Sequence, residues 1–226
     1  MTLPQFSLSG FDVVPAVLDR SELARIVETL GAETVDRSRA GARHLMRHSI
    51  VSRVAHDPRL LSIARRFVDA EPIPFRATLF DKSPANNWLV VWHQDTALPL
   101  RDRCDVPGWG PWSVKGGIAY AHAPASALER VIALRLHIDD SRADNGPLRV
   151  LPDTHTLGVL SDAEIGRLSR DVAAVDCVVP AGGIVAMRPL VVHSSSKSET
   201  DLPRRVLHIE YADSRAMGDG LELAIA

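Results

Sequence analysis

The stretch RVIALRLHIDDSRADNGPLRVL, residues 130–151, decides the fold. Its first half alternates Leu134, Leu136 and Ile138 with Arg135, His137 and Asp139, the period of two expected of a strand with one apolar and one polar face. Asn145-Gly146 follows, both tolerant of positive φ, and a second apolar run occupies residues 148–151, so the spacing predicts a hairpin whose long strands pair antiparallel. The polar face of the first strand either looks into a pocket or meets solvent. Outward from this stretch, further strands are expected at residues 74–80, 88–92, 174–179, 183–187 and 205–211.

Helices come earlier. Leu23, Ile26, Val27 and Leu30 recur at helical spacing, with Asp19 and Glu22 as a capping box, predicting a helix over residues 21–30. Asp57-Pro58 is an N-cap followed by proline at the first helical position, predicting a second helix to about residue 68. Ser161 and Glu164 open a third, short one. Helices early and many short strands late predict an α+β, mainly β domain spanning residues 1–226, in which helices cover one face of a β-sandwich or barrel. The Gly/Pro-rich residues 107–117 are expected to form a long loop, packed as a lid through Trp109 and Trp112.

Composition narrows the function. The chain has 226 residues, 46% of them hydrophobic, and 26 basic against 28 acidic side chains for a net charge of -2. That balance, with arginines scattered along the chain, excludes nucleic acid as the main partner, because phosphate binding needs clustered cations. The longest uncharged run, residues 116–128, is too short for a membrane-spanning helix, and the N-terminal residues show no secretory leader, so a cytoplasmic, membrane-free protein is expected. Cys104 and Cys177 read as reduced structural thiols. Among the cations only Lys82, Lys115 and Lys197 are lysine.

Nine histidines raise the question of which converge. His93 and Asp95 lie two apart after the apolar run 88–92, so in an extended chain both face one side. His193 follows the apolar residues 189–192 and opens a polar loop, Ser194-Ser195-Ser196. Two imidazoles and one carboxylate on one face of a metal leave the opposite positions open, the arrangement of non-haem Fe(II) oxygenases. Arg204 and Arg205 come eleven residues later, and a guanidinium is the group that pairs with a free carboxylate bidentately. Adjacent strand residues face opposite ways; Arg204 shares its face with Val206, His208 and Glu210, Arg205 with Leu207, Ile209 and Tyr211, which favours Arg204 as the inward one.

From Phe6 to about Tyr211 the sequence resembles the phytanoyl-CoA dioxygenase family of Fe(II)/2-oxoglutarate-dependent oxygenases. The resemblance rests on FSLSGFDVVPAVLDRSELARI near the start, on LFDKSP and VVWHQD, on LHIDDSRADNGPLRVLPDTH, and on HSSSKSETDLPRRVLHIEYA. Where the family ends its third segment in Pro-Gly-Ser-His, this chain has Pro-Asp-Thr-His, which puts a role for His155 in doubt. The resemblance implies a double-stranded β-helix, a cupin-like jelly roll, with the N-terminal helices on the outer face of its major sheet. It implies that His93, Asp95 and His193 hold Fe(II), and that Arg204 grips the distal carboxylate of 2-oxoglutarate with Lys82 and Ser195 beside it. It implies an enzyme that uses O2 on a small-molecule substrate and releases succinate and CO2, with no catalytic residue beyond the metal ligands. Halogenating relatives lack the carboxylate, so Asp95 implies hydroxylation, desaturation or rearrangement rather than halogenation. Two other readings stand beside it: a non-catalytic barrel of the same fold serving as a binding protein, and a cupin-type metal-dependent isomerase or hydrolase.

Overall fold

The computed structural model describes residues 9–32, 37–38 and 41–226. Seven strands form the major sheet: Phe11–Val14 (β1), Arg37–Ser38 (β2), Gly41–Ala42 (β3), Ile73–Lys82 (β4), Val131–His137 (β9), Ile184–Met187 (β12) and Arg204–Ala212 (β14), in the spatial order β1-β12-β9-β14-β4-β3-β2. Val90–His93 (β5), Leu148–Val150 (β10), Val175–Cys177 (β11) and His193–Ser195 (β13) form the minor sheet, ordered β11-β10-β13-β5. Every pairing in both is antiparallel. This is the double-stranded β-helix of cupin-like jelly rolls. A meander of Ala97–Leu100 (β6), Trp112–Lys115 (β7) and Ile118–His122 (β8), ordered β6-β8-β7, and a ribbon of Ala216–Gly218 (β15) and Leu221–Glu222 (β16) complete the β structure.

Alternation sorts the two faces of the major sheet. Ile132, Leu134 and Leu136 of β9 and Leu207, Ile209 and Tyr211 of β14 point outward into a buried cluster with Leu23, Ile26 and Leu30 of helix Arg20–Ala32 (α1), Val51 of Ser49–Ala55 (α2) and Leu60 of Pro58–Ala64 (α3). The helices therefore cover the outer face, and the opposite parity of β9, β14 and β4 faces the barrel interior. The capping boxes form as their spacing requires: Asp19 N–H donates to Glu22 Oε2 at 2.8 Å while Glu22 N–H donates to Asp19 Oδ1 at 2.9 Å. Ala125–Leu128 (α4) and Asp162–Asp171 (α5), the latter capped by Ser161 and Glu164, follow. The Tyr211 hydroxyl donates to the Ala55 carbonyl at 2.9 Å and ties the sheet to α2. Tyr211→Phe is expected to cost about 1 kcal/mol in urea unfolding with an unchanged slope, the net value of one buried hydrogen bond; no change would mean that water replaces the phenol.

Four expectations need correction. Asn145-Gly146 does not close a hairpin: β9 pairs with β12 and β14, and β10 pairs with β11 and β13. The segment between them crosses from the major to the minor sheet, and its turn is closed by the Asn145 side chain, which accepts from Arg142 N–H and donates to the Asp140 carbonyl, each at 2.8 Å. The helix from Pro58 ends at Ala64, because residues 65–67 tighten into i→i+3 bonds, Arg66 N–H to Ile63 O and Phe67 N–H to Ala64 O. Residues 107–117 are only half loop, since Trp112–Lys115 is a strand; Trp109 and Trp112 do pack inward, against the Phe75, Leu98 and Leu128 cluster. Ser194 and Ser195 belong to β13 rather than to a loop. No described helix is long and apolar enough to cross a membrane.

Candidate metal and cosubstrate site

Cross-strand pairing builds the site. In the minor sheet His193 of β13 stands directly opposite His93 of β5, which puts the rings 4.2 Å apart at their centroids. Each ring contacts the carbonyl two residues before it through Nδ1, His93 to Val91 O and His193 to Val191 O, both at 2.8 Å. A carbonyl only accepts, so Nδ1 carries the proton, and the neutral ring keeps its lone pair on Nε2. Those two Nε2 atoms lie 3.7 and 3.6 Å from the two carboxylate oxygens of Asp95. The backbone holds Asp95 there, its N–H donating to the Pro189 carbonyl at 2.9 Å. Gln94, between them and buried, donates to Gly158 O and Leu190 O and accepts from Leu160 N–H, pinning the segment to the minor-sheet side.

Charge suits a cation at this point. Burial pushes His193 down to about 4, so it is neutral at pH 7 and free to ligate. Burial would raise the Asp95 carboxyl, yet His193, His208, His93 and Arg76 outweigh it and hold it well below the usual carboxylate range. Ligand atoms of His93, Asp95 and His193 all lie within 4.8 Å of one another.

The second half of the site is a polar ladder on the inner face of the major sheet. Arg204 pairs with Lys82, Val206 with Phe80 and His137, His208 with Thr78 and Arg135, and Glu210 with Arg76. At one end Lys82, 1% exposed, donates to Ser195 Oγ at 2.9 Å and to the Ser196 carbonyl. Arg204, 3% exposed, donates through Nη2 to Ser195 Oγ and through Nε to the Asn145 carbonyl, both at 3.2 Å. Ser195 thus accepts from both cations, and its own proton goes to Gly146 O at 2.8 Å. No carboxylate reaches this cluster among the described residues. Arg204 Nη1, Arg135 Nε and both nitrogens of His137 are buried without a partner. Burial first, then Arg204 and Arg135 close by, drops the Lys82 ammonium to about 7; burial and Arg135 lower Arg204 to about 10. His137, buried beside Arg135 and Arg204, is pushed down to about 3 and stays neutral.

At the other end, Arg76 forms an ion pair with Glu210 and donates to Ala97 O at 2.9 Å. His208 accepts from Arg135 at Nδ1 (3.1 Å) and donates from Nε2 to Glu210 Oε1 (3.0 Å). Asp95, His208 and Glu210 also lie within 4.8 Å of one another; here Arg76 and His208 both engage Glu210 Oε1 in an ion-pair network, while Oε2 is buried without a partner. A cleft of about 310 Å³ opens over His93 and Asp95. A larger groove of about 680 Å³ lies outside the barrel, between α1 and the Arg205 side, and brings no catalytic set together.

The structure therefore gathers His93, Asp95 and His193 at one point and Lys82, Ser195 and Arg204 at another. Arg205 points outward into a bidentate pair with Asp139, its Nε and Nη2 at 2.8 Å from the two oxygens. Of the alternating trio on β9, Arg135 and His137 face the interior, while Asp139, beyond the strand, does not. His155 packs against Gly10, where a Cβ would lie 2.4 Å from its Nδ1, and joins neither cluster. Trp92 packs with Leu151, Ile165 and Val192, away from the cleft. Arg76 and Thr78 escaped the sequence reading, although their two-residue spacing with Lys82 along β4 carries the same parity signal.

Gly146 is a constraint on this site. Its φ is 67°, and a Cβ there would lie 2.3 Å from the Ser196 carbonyl oxygen and 3.1 Å from Lys82 Nζ. Gly146→Ala is expected to cost about 1–3 kcal/mol of stability and to weaken cosubstrate binding with it; unchanged urea midpoint and calorimetric affinity would show the turn to be slack.

Fold and site together define a jelly-roll protein with a two-histidine, one-carboxylate centre beside a buried cationic pocket. The model of the family described as Phytanoyl-CoA dioxygenase (PhyH) matches residues 6–206, and the chain belongs to that family. It is 23% identical over 188 residues to the L-proline trans-4-hydroxylase of Streptomyces griseoviridis, a match that covers 72% of this chain and 62% of that protein's length. Its fold is similar to that of EctD from S. alaskensis, solved with 2-oxoglutarate and 5-hydroxyectoine (TM-score 0.68, 17% identity, 92% of this chain and 73% of that one). It is similar also to the non-haem α-ketoglutarate-dependent epimerase SnoN from nogalamycin biosynthesis (TM-score 0.66, 20% identity, 96% and 84%).

Proposed function

We propose that this chain is a non-haem Fe(II)- and 2-oxoglutarate-dependent dioxygenase that hydroxylates a C–H bond of a small-molecule substrate. The observation that carries the reading is the pairing of two sets: two imidazoles with Nε2 turned on one carboxylate, and beside them the buried cations Lys82 and Arg204, which lack a counter-anion among the described residues. The first set suits a ferrous ion with open positions; the second suits a dicarboxylate. His93, Asp95 and His193 would hold the iron. Arg204, Lys82 and Ser195 would hold the distal carboxylate of 2-oxoglutarate, with the free Arg204 Nη1 available to it.

Iron, 2-oxoglutarate and O2 together supply the oxidation, in which 2-oxoglutarate and O2 give succinate and CO2 and one oxygen atom enters the substrate C–H bond. The chain itself positions and insulates. The carbonyls of Val91 and Val191 fix the ligating tautomers, and Gln94 fixes the backbone between His93 and Asp95. Lys82 and Arg204 neutralise the cosubstrate, oriented by Ser195. No side chain needs to act as an acid or base. Asp95 stands where halogenating relatives bind chloride, which speaks against halogenation and leaves hydroxylation, desaturation or rearrangement. Anaerobic addition of Fe(II) and 2-oxoglutarate tests the reading: a visible charge-transfer band of the chelate is expected. A colourless mixture would leave a binding barrel or a hydrolytic metal site instead.

Lys82 gives this reading a pH signature. Its ammonium, lowered to about 7 in the empty pocket, regains protonation when the carboxylate arrives, so binding takes up a proton above pH 7. Affinity for 2-oxoglutarate is expected to be flat below pH 7 and to weaken by up to about tenfold per unit above it. Titration calorimetry from pH 6 to 9 in buffers of different ionisation enthalpy measures both; a flat profile would remove Lys82 from the carboxylate.

A further inference from the structure

The cleft over His93 and Asp95 is charged on one side only. Arg43, Arg76 and Lys115 border it, and the one carboxylate on its lining is Asp95, which the reading above gives to iron. Glu210 balances Arg76 from beneath. Arg43 and Lys115 have no carboxylate partner among the described residues. Both are exposed at the cleft rim, and Lys115 is held there by a ring contact. Lys115 Nζ sits 4.8 Å from the Tyr120 ring centroid and the Arg76 guanidinium 5.9 Å from it, while the Tyr120 hydroxyl contacts His44 Nε2 at 3.0 Å. Tyr120 itself is 2% exposed. The β7–β8 turn that delivers Lys115 rests on the residue next to Arg43: a Cβ at Gly116 would lie 2.8 Å from the His44 ring. Burial, with Arg76 and Arg43 close by, holds Lys115 below the usual lysine range. Cations gathered this way repel one another until an anion arrives between them.

We propose that this cleft receives the anionic group of the primary substrate, a carboxylate or a phosphate held by Lys115 and Arg43, with the C–H bond to be oxidised turned toward His93 and Asp95. The proposal rests on the iron and 2-oxoglutarate reading and adds a substrate class to it. A volume of about 310 Å³ lies at the small end of ligand pockets, which suits a compact acidic metabolite. It also gives a use to the second of the three lysines in an arginine-rich chain: Lys82 serves the cosubstrate pocket and Lys115 the substrate cleft.

The test uses the full chain loaded anaerobically with Fe(II) and 2-oxoglutarate, whose visible band shifts when a substrate displaces water beside the iron. The probes are L-amino acids, 2-hydroxy acids and sugar phosphates, each paired with its methyl ester or its unphosphorylated form. Anionic members are expected to shift the band and their neutral counterparts to fail; the arm that responds, carboxylate or phosphate, identifies the group. Lys115→Glu is expected to raise the half-saturating concentration of the responding anion by about tenfold or more, and Lys115→Arg to restore most of it. A band that forms and then responds equally to neutral members, to no anion at all, or identically in Lys115→Glu overturns this proposal alone. A band that never forms overturns the iron and 2-oxoglutarate reading, and this proposal falls with it.

Discussion

Asp95→Ala is expected to reduce coupled substrate oxidation by more than about 100-fold, since even partners behind metal ligands cost 10–100-fold when removed. Three properties of the position argue for so large an effect. Among the described residues, Asp95 is the sole carboxylate within reach of both His93 and His193 Nε2, at 3.7 and 3.6 Å. Its charge is held by its neighbours well below the ordinary carboxylate range, so it is fully ionised wherever the protein is active. And Glu210, the other acid close by, shares one oxygen with Arg76 and His208 and is not in the group that His93, Asp95 and His193 form. The same depressed carboxyl makes a stability prediction with a definite sign. A carboxyl whose pKa is lower in the folded chain stabilises it above about pH 4 and ceases to do so as pH falls through the folded value. The variant should therefore be less stable than the parent near pH 7, with the gap narrowing in acid. Succinate release and substrate oxidation are followed together, beside urea unfolding at pH 7 and at about pH 2.5, inside the window between the unfolded and folded values; full turnover in the variant would take Asp95 off the iron.

Much of this was legible along the chain, and what was not has a common cause. Capping boxes at Asp19 and Ser161 and the His93-x-Asp95 spacing depend on neighbours two or three residues apart, which sequence displays directly. The face argument for Arg204 over Arg205 also survives, because alternation is a local property and the helices do cover the Leu207, Ile209 and Tyr211 face. Register across strands is different. That His193 faces His93, Lys82 faces Arg204 and Arg76 faces Glu210 follows from pairings between segments about 100 or more residues apart, and no local pattern specifies them. Asn145-Gly146 shows how a sound local reading can mislead: the turn exists, yet it carries the chain between sheets, and its glycine is needed because Ser196 and Lys82 press against it. The β6–β8 meander, which sets Lys115 and Tyr120 over the cleft, has strands of four or five residues split by glycines, too short for periodicity to stand out.

Arg204→Gln is expected to weaken 2-oxoglutarate binding by about 2–5 kcal/mol, roughly 30-fold and upward, the cost of removing one partner of a buried charge pair. Arg204→Lys should fall between, because an ammonium keeps the charge and loses the planar fork. Arg205→Gln is the control: its pair with Asp139 lies outside the barrel, partly exposed, so the affinity should not move. Stability makes the prediction diagnostic. In the empty protein Arg204 is buried with Nη1 unpartnered, and burial together with nearby Arg135 disfavours its charge. Removing a buried cation that lacks a counter-ion relieves desolvation and repulsion, so the unliganded Gln variant should unfold at the same or a higher urea concentration than the parent. A residue kept for packing would behave the opposite way, losing stability while leaving affinity largely alone. Loss of affinity with stability retained is the signature of a charge held in place for a ligand. An Arg204→Gln protein that binds 2-oxoglutarate as the parent does would assign the distal carboxylate to Arg135 and Lys82 instead.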